Sequence, residues 1–227
     1  MNGVKYKNLE TLYRVQINKF HKKPRRFENI FLKKFKIYSL IQTLFFIGFM
    51  PAKSRWNKHS KLQSVENIAS AVSSISWKVA TNGVLELENK GYQTKGDAHR
   101  LKIIGEFLIF SVQVADRLAF KQLDTEKRQR FITALALHIA DIFADNQRDV
   151  LGEGEYRQAF IDLLNQRGED YAELSFHNGS AGFDFLRYFA EQVAALMEDK
   201  HFVSQQVMEV EGPEALKMLT KGMQLLG

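Results

Sequence analysis

Leu101 to Phe120 reads LKIIGEFLIFSVQVADRLAF. At 100° per residue, Lys102, Glu106, Gln113 and Arg117 fall in one narrow sector, with Asp116 beside it. Ile103, Ile104, Phe107, Leu108, Phe110, Val112, Val114, Ala115, Leu118 and Ala119 occupy most of the remaining circumference. A surface helix of a globular protein has an apolar stripe of a little over ~100°. The arc here is wider, so the spacing predicts a helix contacted from several sides. Lys102, Glu106 and the Asp116-Arg117 pair interrupt the run, which falls short of the ~18 clean apolar residues of a membrane span. The segment therefore reads as the buried central helix of an all-α domain. Its polar strip, Lys102, Glu106, Gln113 and Arg117, has two readings. One is a solvated edge. The other is the floor of a groove beside helix 98–120.

Helical periodicity surrounds this segment on both sides. Val65, Ile68, Val72, Ile75 and Val79 recur at three and four residues behind Ser64, a good N-cap, and Gly91 is a good stop. Gly83 within this helix marks either a kink or a close packing point. After the central helix, Asp124 and Thr125 cap a third one, with Phe131, Leu135, Ile139 and Ile142 as its seam. Short connections predict an up-down-up layer of three antiparallel helices. A fourth helix is expected over 155–174, a turn at His177-Asn178-Gly179-Ser180 and a fifth helix over 181–197. A short helix over 199–209 ends at Gly212-Pro213, and a last helix starts at Pro213. No strand alternation is evident. The expectation is an all-α domain over 62–227, a six- or seven-helix bundle or orthogonal array, behind a basic, poorly structured extension over 1–61.

The charge is divided between these parts. The whole chain carries +6, yet residues 1–60 hold 14 Lys and Arg against 2 Asp and Glu, and residues 61–227 hold 18 against 24. The helical body is acidic. Its one basic cluster is Lys127, Arg128 and Arg130, too little for a phosphate-binding surface, so no specific nucleic acid is expected. In the extension, Lys22, Lys23, Arg25, Arg26, Lys33, Lys34 and Lys36 precede the apolar run IYSLIQTLFFIGFM, Ile37 to Met50. That order suits contact with an anion or a membrane surface through residues 22–50. A competing reading starts the natural product at Met50, because residues 1–49 contain no alanine whereas residues 50–227 contain 18.

The chain has no cysteine, which excludes disulfides, thiolate metal sites and thiol nucleophiles, and it fits a cytoplasmic protein or one on the inner face of a membrane. No two of His21, His59, His99, His138, His177 and His201 are three to five residues apart, which removes helical zinc motifs. The nearest approach to a metal cluster is His138, Asp141 and Asp145, and an acidic solvent-facing strip is the preferred reading of it. There is no phosphate loop and no nucleophile elbow. No catalytic residue and no cofactor are expected. Phe107, Phe110, Phe120, Phe131, Phe143, Phe160, Phe183, Phe185 and Phe189 read as core rather than as the lining of an apolar pocket. The chain thus reads as a non-enzymatic module that binds a protein partner. The alternatives are a carrier or helical enzyme for an apolar ligand, and a membrane-peripheral protein.

Overall fold

The computed structural model describes residues 64–224, and the calls on the N-terminal segment, from Lys22 to the Met50 start, lie outside them. The described chain forms helices α1 (Val65–Asn89), α2 (Asp97–Ala119), α3 (Thr125–Leu151) and α4 (Tyr156–Ala172). A two-residue ladder, β1 (Phe176–His177) with β2 (Ser180–Ala181), follows. Then come α5 (Phe183–Ala195), α6 (Lys200–Gln206), a π-helical segment (Val207–Glu211) and α7 (Gly212–Met223). The fold is an all-α bundle.

α2 is the centre. It touches α1, α3, α4, α5 and α7. Fifteen of its 23 residues are buried, including every residue from Ile103 to Val112. An α-helix can bury ten consecutive residues only when neighbours stand on all sides of it. The first three helices do not form a layer, however. α1 and α3 pack directly on each other, closing a triangle with α2. Glu66 at the start of α1 meets Arg130 of α3, so these two helices run parallel.

The helix ends follow from local chemistry. Ser64 accepts from the Asn67 N–H at 3.3 Å, and Asp124 accepts from the Lys127 N–H at 2.9 Å. At the end of α1, Gly91 takes a φ of 95°, and the Gly91 and Tyr92 N–H groups return to the Glu88 and Leu87 carbonyls. That is the double closure of a Schellman stop. Asp97 does not cap α2; the N-cap is Gly96, and Asp97 pairs instead with Arg100 at 2.8 Å.

Aromatic rings fill the space between α2 and α5. Phe189 stacks on Phe110 at 4.2 Å between centroids and meets Phe107 edge-on at 4.9 Å. Phe185 contacts both Phe110 and Tyr171. Seven of the nine phenylalanines assigned to the core are buried; Phe120 and Phe183 are each 67% exposed. Both stand at helix ends, where periodicity no longer fixes which way a side chain faces. The Arg128 guanidinium lies 5.0 Å over the Phe120 ring.

Two boundaries differ from the sequence-based expectation. α5 starts at Phe183, because Ser180 and Ala181 pair with β1. Asn178 and Gly179 take φ of 53° and 80°, the left-handed pair that a two-residue hairpin loop needs. A ladder of two residues is too short to show alternation. The second difference is at Gly212-Pro213, which does not end a helix. Gly212 stays helical, with φ −64° and ψ −50°, and its N–H reaches back five residues to the Val207 carbonyl. Pro213 has no N–H to continue the four-residue ladder, so the wider π turn carries α6 directly into α7.

Candidate functional site

The polar strip of α2 lies mostly under α4. Lys102 alone is exposed. Glu106 is buried, and its carboxylate accepts from Arg167 Nη2 of α4 at 3.0 Å. Their side chains are 8% and 19% exposed. Gln113 faces Gly168, where a side chain would stand 3.5 Å from Gln113 Nε2. Arg117 Nη2 donates to the Tyr171 and Ala172 carbonyls at 2.8 and 3.2 Å. Those are the last two carbonyls of α4, at the negative end of its dipole; the Tyr171 carbonyl also accepts from the Leu174 N–H at 3.1 Å. Glu106, Gln113 and Arg117 thus line a seam between α2 and α4, while Lys102 stands at an open edge.

The seam extends to α5 through Tyr188, whose hydroxyl donates to Asp170 of α4. Burial, and then the Asp170 hydrogen bond, push the Tyr188 phenol up to about 12. Burial likewise drives Tyr171 well above the ordinary tyrosine value, with the Glu106 charge adding to the effect. Burial opposes the Arg167 charge, yet the Glu106 carboxylate outweighs it and raises the guanidinium pKa. Both phenols are therefore neutral near pH 7 and the guanidinium is committed to its carboxylate. The two phenols and the guanidinium thus fix geometry and are not poised to exchange a proton at neutral pH.

His138, Asp141 and Asp145 do not converge. Asp141 pairs with Arg157 of α4, and Asp145 pairs with Arg148 one turn on. Each carboxylate is thus paired with a different arginine. Among the described residues, no group of three or more His, Asp and Glu side chains could hold a metal ion. The sequence reading missed Arg167, although it falls on the same α4 face as Leu164 and Tyr171. A charge on an apolar stripe demands a buried partner, and Glu106 on α2 was the matching orphan.

Among the described residues, one concave feature is a shallow, open groove of about 620 Å³ between the hairpin with α5 and the outer side of α7. Ala181 and Leu186 form one wall, and Pro213, Leu216, Lys217 and Lys221 form the other. The wall at the hairpin is held by Asp184, which accepts from the Ser175 and Phe185 N–H groups, both at 2.9 Å, and from the Ser175 hydroxyl. The Ser175 contacts, foremost, hold the Asp184 carboxyl below its ordinary range. Gly182 lets this corner close, since a Cβ there would meet Ser175 Oγ at 2.0 Å. α7 is seated at both ends by glycine. A Cβ on Gly212 would lie 3.0 Å from Leu186 Cδ2, and one on Gly222 would lie 2.8 Å from Ile75 Cδ1. The groove has mainly apolar walls, with Ser180, Thr220 and Gln224 among its lining and two lysines on one rim.

Compared with protein-family models, curated proteins and solved structures, the chain finds no match.

Proposed function

We propose that the chain is a non-enzymatic helical module that binds a protein partner, and that the groove between the hairpin and α7 is its contact surface. The observation that carries this reading is the groove itself, about 620 Å³ of open concave surface with apolar walls on rigidly seated elements. Such surfaces suit side-chain anchors of a partner. A carrier for an apolar ligand would need space beside Phe107 and Phe110. Those rings are instead in contact with Phe189 at 4.9 and 4.2 Å between centroids, which favours the partner reading. The buried ionisable groups of the α2–α4 seam are already paired with one another, which again favours a structural role for the centre of the fold.

The test is affinity purification from the native source with wild-type chain and with Leu216→Glu. Leu216 is half-buried and touches the edge of the core, so circular dichroism and the milder Leu216→Ser check that loss of binding is not loss of fold. The expected result is a partner recovered with wild type and lost with the variant. Identical recovery with both overturns the assignment of the groove.

A further inference from the structure

We infer that the occupant of this groove is an acidic amphipathic helix of the partner; the inference rests on the groove being the partner surface. The first argument is charge. Residues 61–227 carry 24 acidic against 18 basic residues, yet the groove is lined by Lys217 and Lys221 and by no Asp or Glu. On a body whose surface repels acidic segments, this is a local site that attracts one. Lys217 does have a neighbour, Glu214, at 3.3 Å. Their side chains are 75% and 60% exposed. An ion pair so open to water holds weakly and exchanges for an incoming carboxylate.

The second argument is spacing. Lys217 and Lys221 are four residues apart on α7, so their ammonium groups project on one side, one turn from each other. Two carboxylates at the same four-residue interval on an opposing helix match them. Between the lysines and the hairpin lie the apolar side chains of Ala181, Leu186, Pro213 and Leu216. An amphipathic helix places its apolar anchors beside such a charged row. From Pro213 to Lys221 the wall rises about 12 Å, enough to seat two to three helical turns. An extended peptide has less to hold. The ladder beside the groove is only two residues long, so strand addition would make few main-chain hydrogen bonds.

A displayed library of amphipathic helical peptides tests this, with apolar anchors fixed at helical spacing and polar positions randomised, panned against the full chain. Enriched peptides are expected to carry two Asp or Glu one turn apart beside the apolar anchors. Their affinity should fall about tenfold or more against Lys217→Glu/Lys221→Glu. Replacing their two acids with Lys should restore binding to that variant. Both lysines are exposed, so the double change leaves the fold intact. Enrichment of neutral or basic peptides that still lose binding on Leu216→Ser overturns the acidic helix while the groove stands as a partner surface. No enrichment, or binders indifferent to both Leu216→Ser and the lysine changes, overturns the groove as well.

Discussion

The ring of Phe107 occupies the place where a side chain on residue 83 would begin. A Cβ built on Gly83 lies 2.4 Å from Phe107 Cε1, so α1 and α2 approach at a distance only glycine permits. α1 runs unbroken from Val65 to Asn89, and Gly83 is its close packing point. Phe107 cannot swing aside, because Phe189 blocks it edge-on at 4.9 Å. Gly83→Ala should therefore destabilise the domain by about 1–3 kcal/mol. At an exposed helix position the same change would gain up to ~1 kcal/mol. Urea denaturation decides the sign, and a stabilised variant would show that the two helices can part at low cost.

The Glu106–Arg167 pair makes a sharper statement about the seam. Arg167→Met leaves a carboxylate in a site 8% exposed. Loss of one member of such a pair costs about 3–5 kcal/mol. Replacing both, as Glu106→Leu/Arg167→Met, should recover much of that loss. A double-mutant cycle by denaturant unfolding measures the coupling. A coupling near zero would mean the two charges are solvated independently.

Glu211 supplies a pH dependence of known sign. It is 7% exposed within the π segment, with Gln206 Nε2 donating to it at 3.0 Å. Burial raises its pKa above the ordinary glutamate value, Gln206 works against the rise, Glu86 and Glu214 add to it, and Lys90 opposes it. A carboxyl raised on folding binds its proton more tightly in the native state. Its contribution to stability is thus fully present below about pH 4.5 and is lost as pH rises through the native pKa. Glu211→Gln should be more stable than wild type at pH 7, and the difference should vanish in acid. A difference independent of pH would contradict this origin.

His99 is held in one tautomer. Its Nδ1 accepts from the Lys95 N–H at 3.0 Å, and its Nε2 stands 2.6 Å from the Leu196 carbonyl. A carbonyl only accepts, so the ring proton belongs on Nε2. The imidazole thereby ties the entry to α2 to the end of α5. Long-range ¹⁵N NMR should report the Nε2–H form, and His99→Ala should cost about 1–3 kcal/mol for the two lost hydrogen bonds. An Nδ1–H signal would require a different partner for Leu196.

The position of α2 could be read from the chain because burial on every side leaves its mark in consecutive apolar residues. Gly91, Ser64 and Asp124 were legible for a similar reason, since caps and stops are local chemistry. The Glu106–Arg167 pair was not, because it joins residues 61 apart in sequence, and no periodicity links them. The groove was hidden for the same reason. Leu186 and Leu216 each look like ordinary helix-stripe residues, and only the seating of α7 by Gly212 leaves a trough between them. At Gly212-Pro213 the local signal was half right: the last helix does start there, with Pro213 in its first turn, but the π segment runs into it without a break.

The π turn has a bearing on how this fold can change over time. Such a turn is what remains when one residue is added to an α-helix without breaking it. Val203, Val207, Glu211, Ala215, Leu219 and Met223 are all buried, a stride of four that an uninterrupted α-helix would carry steadily around its axis. The wide turn gives back part of that drift. A single-codon deletion at Val210 would close the wide turn into ordinary α-helix and strain the seat of α7, whose buried face packs on α1, α2 and α5. Length at this one point is therefore constrained together with Gly212 and Gly222, the small residues that seat the last helix.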